Sequence, residues 1–190
     1  MKKLSTCVAL FTVLSVLPYN IGVRGADWPQ WQGPNRDGVW HEQGIVEGIP
    51  ENGLPIVWRV PLGGGYSGPA VAGDHLYVAD YIKSEGTLEN NPNNRSLLSG
   101  TERVLCFDTA TGEEIWKYEY DCPYSISYAA GPRCTPTVYD DRVYALGSEG
   151  NFLCLNAQNG KTAESGGLEK LDPKCQVPTM HKFIQKKKIT

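Results

Sequence analysis

One pattern is written twice in this chain, and that repetition limits its possible folds more than any other feature. Gly68-Pro69-Ala70-Val71-Ala72-Gly73-Asp74-His75-Leu76-Tyr77-Val78 returns as Thr135-Pro136-Thr137-Val138-Tyr139-Asp140-Asp141-Arg142-Val143-Tyr144-Ala145. The offset is constant, carrying Pro69 to Pro136, Asp74 to Asp141 and Tyr77 to Tyr144. Val104-Leu105-Cys106-Phe107-Asp108 returns as Phe152-Leu153-Cys154-Leu155-Asn156, and Gly112 as Gly160, at a shorter offset. The difference between the two offsets is an insertion in the first copy, Lys83–Thr101. A unit of roughly 45 residues, built from short alternating runs and turns, buries its faces only by stacking on copies of itself. That points to an all-β chain holding about two four-stranded antiparallel blades of a partial β-propeller.

Local chemistry places the strands. Gly73-Asp74 between two apolar runs predicts a tight hairpin of Ala70–Ala72 with His75–Asp80. Antiparallel strands are expected over residues 69–80, 103–120 and 136–156, with no helix longer than two turns. Asp108 opens a turn that Gly112 closes: the carboxylate accepts from backbone N–H groups two or three residues on, and glycine supplies the positive φ. Asn156–Gly160 repeats that turn. Ile56–Val60 is expected to be a further strand, closed by Pro61-Leu62-Gly63-Gly64-Gly65. No Gly-Lys-Ser/Thr follows the triple glycine, so it reads as a flexible inter-blade connection rather than a phosphate cradle. The polar insertion Lys83–Thr101 is expected to be a mobile surface loop. Trp28 and Trp31, set among turn formers, are expected to pack their rings against the fold.

With 190 residues there is room for one ordinary domain, and 21 Gly, 13 Pro, 5 Trp and 10 Tyr suit turn-rich β-structure. Residues 1–25 have the form of a secretory signal: basic Lys2-Lys3, an uncharged apolar run from Leu4 to Leu17, and small residues in Val23-x-Gly25. That run falls short of the roughly 18–20 apolar residues a bilayer span needs. Export to a periplasmic or extracellular location is therefore expected, with no transmembrane segment left after cleavage. Loss of Lys2, Lys3 and Arg24 moves the net charge from −3 to about −6, which disfavours nucleic acid and anionic membranes as partners. The expected organisation is a signal over 1–25, an aromatic, turn-rich segment over 26–55, repeats over 56–165 and an irregular tail over 166–190.

Five cysteines would remain after cleavage, an odd number for an exported protein. Cys122 and Cys134 flank one inter-blade loop and are a candidate disulfide pair. Cys106 and Cys154 hold the same place in the two copies and read as small buried residues. There is no Cys-x-x-Cys, and His41, His75 and His181 are the only histidines, so no metal site is expected.

Cys106-Phe107-Asp108-Thr109-Ala110-Thr111-Gly112-Glu113-Glu114-Ile115-Trp116 closely resembles the tryptophan-docking motif of pyrroloquinoline-quinone (PQQ)-type propeller repeats, Ala-x-Asp-x-x-Thr-Gly-x-x-x-Trp. Only the leading Ala differs, replaced by Cys106. Cys154–Gly160 keeps the turn with Asn in place of Asp and Thr. The resemblance to exported bacterial members of this quinoprotein-like group covers residues 27–160. It implies structural roles for Asp108, Thr111, Gly112, Trp116, Asn156 and Gly160, with Trp116 buried between blades.

The group includes quinone-dependent alcohol and sugar dehydrogenases as well as a cofactor-free propeller lipoprotein of the outer-membrane assembly machinery. The dehydrogenases would need PQQ, Ca²⁺ and an Asp base, and many stack the quinone on a disulfide of adjacent cysteines. No adjacent Cys pair occurs here, and no catalytic residue carries over. The favoured expectation is a non-catalytic binding or scaffold module of the cell envelope, without cofactor, facing a protein or carbohydrate partner. The alternatives are the N-terminal part of a PQQ-dependent dehydrogenase and a carbohydrate-binding protein using Trp28, Trp31 and Trp40. The position equivalent to Trp116 in the second copy is Glu164, and the alternation fades after Thr162, so a truncated or frame-disrupted product is also expected.

Overall fold

The computed structural model describes residues 25–45, 47–87, 91 and 93–167. The expected signal (apart from Gly25), Cys175, His181 and almost all of the 166–190 tail lie outside the described residues. Among the described residues nine strands follow in order: β1 Ala70–Ala72, β2 His75–Glu85, β3 Ser96–Asp108, β4 Glu114–Asp121, β5 Tyr124–Ile126, β6 Thr137–Tyr139, β7 Arg142–Leu146, β8 Asn151–Asn156 and β9 Thr162–Gly167. They form two antiparallel sheets, β1-β2-β3-β4 with β5 on β3, and β6-β7-β8-β9. No helix occurs among the described residues.

The repeat appears as register. Ala70 faces Tyr77 and Tyr77 faces Cys106; in the second sheet Thr137 faces Tyr144 and Tyr144 faces Cys154. The first hairpin turns through Gly73 at φ 62°, whereas the second turns through Asp140 and Asp141 at φ 49° and 57°. Left-handed backbone is one that Asp tolerates better than most side chains, and it matches the twist of the flanking strands.

Alternation sends one face of each blade into a shared core. Tyr77, Ala79, Val104, Cys106 and Trp116 of the first blade meet Val143, Ala145, Leu153, Leu155 and Ala157 of the second. The Trp28-Pro29 segment ties the inner strands of both blades together. Trp28 pairs with Val71 (N–H to O 2.8 Å, and 2.9 Å in return), and Val138 N–H donates to Pro29 O at 2.7 Å. Trp28 packs as expected, over Gly33. Trp31 does not: it is 68% exposed.

Four expectations are corrected here. The strand pattern expected to fade after Thr162 continues as β9, which pairs along β8 from Asn151 to Leu155. Both ends of the Lys83–Thr101 insertion are strand, Lys83–Glu85 in β2 and Ser96–Thr101 in β3, and they extend the β2–β3 hairpin beyond the first blade, with a bulge between Lys83 and Glu85. The insertion contributes Leu98 to a second core, with Tyr81, Cys122, Tyr124 and Ile126. Polar composition concealed that alternation. The glycine run is pinned rather than flexible: Gly64 and Tyr81 exchange hydrogen bonds at 2.9 and 2.8 Å, and a side chain at Gly63 would collide with the Tyr81 carbonyl. Close backbone approach is why these positions are glycine. Ile56–Val60, finally, is not part of either sheet.

Candidate functional site: the blade interface and its loop surface

The Asp108–Gly112 turn is closed in the way the residues dictate. Asp108 Oδ1 accepts from Ala110 N–H at 2.9 Å, Thr111 N–H at 2.8 Å and the Thr111 hydroxyl at 3.0 Å. These contacts, led by those of Thr111, hold the Asp108 carboxyl below the ordinary carboxylate range. Asn156 Oδ1 reproduces them with Gln158 N–H at 3.0 Å and Asn159 N–H at 3.2 Å. Even the exchange of Thr111 for Asn159 preserves function: each side-chain oxygen accepts from the N–H two residues on, Glu113 at 3.2 Å and Lys161 at 3.0 Å. Gly112 and Gly160 end the turns at φ 73° and 66°.

Each turn is a seat for a tryptophan. The Trp116 ring lies across Gly160, where a Cβ would sit 2.6 Å from it, and Nε1 donates to Ala157 O at 2.9 Å. Tyr77 donates to the same carbonyl at 3.2 Å, its ring 5.8 Å from that of Trp116. Trp58 lies across Gly112 in the same way, with Nε1 donating to Thr109 O at 2.9 Å. Sequence reading missed Trp58 because no Asp-x-x-Thr-Gly precedes it. The available signal was the match of Ile-Val-Trp-Arg-Val to the run around Trp116.

At the other end of the blades sits a buried polar cluster. Glu102 shares its face of β3 with Val104 and Cys106 and is only 2% exposed. Its carboxylate accepts from the hydroxyls of Tyr120 and Tyr124, and from Ser148 N–H of the second blade at 2.9 Å. Burial first, then the Glu102 hydrogen bond, pushes both phenols far above their ordinary value. Burial also pushes the Cys122 thiol up to about 12, with Glu102 adding to it. On the opposite face of the same sheet Asp80, 1% exposed, binds Arg103 through Nε at 2.8 Å and Nη2 at 2.5 Å. Asp80 also accepts from Gly63 N–H at 2.6 Å. Neither cluster was foreseen; the signal was a charge at an inward position of an alternating strand.

Cys122 and Cys134 are both free: Cys122 is buried in the second core and Cys134 is exposed. The structure does not join this candidate pair: Cys122 lies in the second core between β4 and β5, and Cys134 lies at the surface of the connecting loop. Cys106 and Cys154 are buried, as their shared place in the repeat implied.

On the inter-blade loops, positions equivalent in the two repeats touch each other. Tyr66 and Arg133 are separated by the same interval as Pro69 and Pro136, the offset of the repeat. The Arg133 guanidinium lies 4.7 Å from the Tyr66 ring centre and 4.5 Å from that of Tyr128. All three residues are exposed. Tyr66 N–H anchors its loop on Pro132 O at 2.8 Å, and Arg133 Nη2 donates to Ala129 O at 3.2 Å. Among the described residues, no group of three or more His, Cys, Asp or Glu is placed to hold a metal ion.

Stacked antiparallel blades joined by tryptophan docking define a PQQ-like β-propeller repeat protein. The chain belongs to the family described as outer membrane protein assembly factor BamB, whose model matches residues 43–169. Among solved structures it is similar to BamB from Moraxella catarrhalis, at 12% identity and a TM-score of 0.28, over 58% of this chain. The chain spans 37% of the length of that protein. No curated protein matches it.

Proposed function

We propose that this chain is an exported, non-catalytic binding or scaffold module of the cell envelope, which holds a protein partner against the loop surface of Tyr66, Arg133 and Tyr128. The observation that carries this reading is the Arg133 guanidinium held between two exposed tyrosine rings at 4.7 and 4.5 Å. Tyr and Arg are the residues that anchor protein interfaces. An arginine already packed against two rings gives up little further freedom when it binds. Its remaining N–H donors suit a carboxylate of the partner. By contrast Asp80 and Glu102 are engaged inside the blades, where they hold structure together. The family's description as an outer-membrane assembly factor supports a protein partner in the envelope, and the signal-like residues 1–25 support export.

A photo-crosslinking amino acid in place of Tyr128, introduced in cells exporting the full chain, tests the proposal. The expected result is a discrete protein adduct that Arg133→Glu removes while the circular dichroism spectrum is unchanged. Absence of an adduct, or an adduct indifferent to Arg133, would overturn it. So would reduction of an artificial electron acceptor by the purified protein given PQQ, Ca²⁺ and an alcohol or aldose. Binding of soluble glycans in place of protein would move the function to carbohydrate recognition.

A further inference from the structure

A cleft of about 470 Å³ opens between the two blades at the end away from Arg133, where their hairpins and tryptophan turns lie side by side. Small-ligand sites span about 300–1,000 Å³, and this volume falls among them. The first blade supplies Asp74 and His75, and the second supplies Asp141 and Gln158. Asp74 and Asp141 hold the same place in the two copies, and each is exposed. Their backbones are fixed: Asp74 O accepts from Thr109 N–H at 3.0 Å, and Asp141 O from Ala157 N–H at 2.9 Å. Ala72, Val138 and Tyr77 add apolar surface. The His75 ring is stacked on that of Tyr77, their centres 6.1 Å apart, and Tyr77 is locked across the interface by its bond to Ala157 O. No Lys or Arg is among the described residues that line the cleft.

We infer that this cleft binds an organic cation, the ammonium or guanidinium group at the end of an apolar stem. Two carboxylates, one from each blade, supply the charge and accept the cation's N–H donors. The side-chain carbonyl of Gln158 offers a further acceptor. Ala72 and Val138 suit the hydrocarbon stem, which lies on apolar surface while its charged end stays with the carboxylates. The stacked His75 and Tyr77 rings add aromatic faces that attract a cation. A bare metal ion does not suit the cleft, because its carboxylates and His75 are not placed to share one. Nor is the site a by-product of the repeat. Where the first blade has His75 the second has Arg142, and where the second has Gln158 the first has Ala110, so the combination belongs to this interface. A lysine or arginine side chain of a partner and a free alkylamine both carry the chemistry it recognises.

Nuclear magnetic resonance titration of the isotope-labelled full chain tests this, with N-acetyl-arginine amide, N-acetyl-lysine amide and putrescine as probes. Signals of the His75 ring and the Gln158 side-chain amide should shift together, with a Kd of about 1 mM or tighter. N-acetyl-citrulline amide, neutral and of nearly the same shape as the arginine compound, should bind at least about tenfold more weakly. Asp74→Asn and Asp141→Asn should each weaken binding by about threefold or more, the scale of a part-exposed ion pair. Asparagine accepts the left-handed backbone of position 141, at φ 57°, so the turn is kept. Asp140→Asn removes the same charge beside the cleft without touching its lining, and should leave binding unchanged. Tighter binding of the blocked amino acids than of putrescine would assign the site to a partner's side chain, and the reverse to a free amine; both uphold it. Equal affinity for the citrulline compound, an equal loss in Asp140→Asn, or no shift at His75 and Gln158 by about 10 mM would overturn the inference.

Discussion

Removing the Trp116 ring should be the most damaging single truncation at the blade interface, and the loss should divide into parts that separate variants can measure. An indole buries about 150–250 Å², which at about 25 cal/mol per Å² corresponds to roughly 4–6 kcal/mol of apolar transfer. Trp116 is buried against Cys106, Leu155 and Ala157 on both sides of the interface. Trp116→Ala should accordingly lower stability by about 3–5 kcal/mol. Trp116→Phe keeps most of the area and loses the Nε1 bond. Because Tyr77 still donates to Ala157 O, that carbonyl is not orphaned, and the loss should stay near 1–2 kcal/mol. Gly160→Ala attacks the same contact from below. At φ 66° a Cβ is strained by about 1–2 kcal/mol before it meets the ring 2.6 Å away. Trp58→Ala should cost less than Trp116→Ala, since Trp58 is only half-buried. Urea denaturation at constant m-value provides the comparison. A Phe variant as damaged as the Ala variant would refute the area argument, as would a Trp116→Ala loss below about 1 kcal/mol.

Three further outcomes follow from the buried polar groups. The Tyr81 hydroxyl is buried without a hydrogen-bond partner among the described residues, while its ring stacks on Tyr124 at 4.1 Å. Tyr81→Phe should be neutral or stabilising, whereas Tyr124→Phe, which removes a donor from buried Glu102, should cost about 1–3 kcal/mol in the same denaturation assay; the reverse order would contradict the structure. Burial pushes the thiols of Cys106 and Cys122 from near 9.0 up to about 12, and the phenols of Tyr120 and Tyr124 also rise. The unfolded chain then releases these protons first, so stability is intact below pH 9 and falls as pH climbs toward 12. A Tm series across that window checks the sign, and thiol labelling at neutral pH should modify Cys134 while sparing Cys106, Cys122 and Cys154.

Where strand pattern and turn chemistry acted within a few residues, the sequence was legible. Gly73-Asp74 and Asp140-Asp141 specify two-residue hairpins because few other residues accept that backbone. The Asp108–Gly112 and Asn156–Gly160 turns could be aligned because their side-chain oxygens do the same work with different atoms. The residues that escaped notice act over long separations. Trp58 reaches a turn 51 residues away, and Glu102 reaches Ser148 46 residues away. No local period marks such a contact. The insertion was misjudged for a related reason: Leu98 becomes a core residue only because β5 returns to cover it. Tyr66 and Arg133 could have been aligned by the repeat offset, but their stacking depends on how closely one blade sits on the next.

How closely the blades sit is fixed by more than apolar area. The shared core of Tyr77, Trp116, Val143 and Leu155 is attractive at many relative positions, because burial of hydrocarbon has no preferred direction. Glu102 behaves differently. Its oxygens satisfy two hydroxyls of its own blade and the Ser148 N–H of the next, and a side chain at Gly147 would collide with them. Ser148 in turn donates to Gly131 O at 2.9 Å, on the loop that leads directly to Arg133. A carboxylate taken out of water at this depth carries a large desolvation penalty, so its net contribution to stability is small even when fully hydrogen-bonded. What it supplies is direction: a slip of one blade past the other would strand a buried charge, whereas the same slip in an all-apolar interface would leave only a few contacts unmade. The register that brings Ser148 to Glu102 also brings Gly131 against Gly64, and with it Arg133 against Tyr66. The buried carboxylate and the exposed arginine are thus set by one geometric condition, the polar contact inside the interface holding the loop surface in the arrangement a partner would meet.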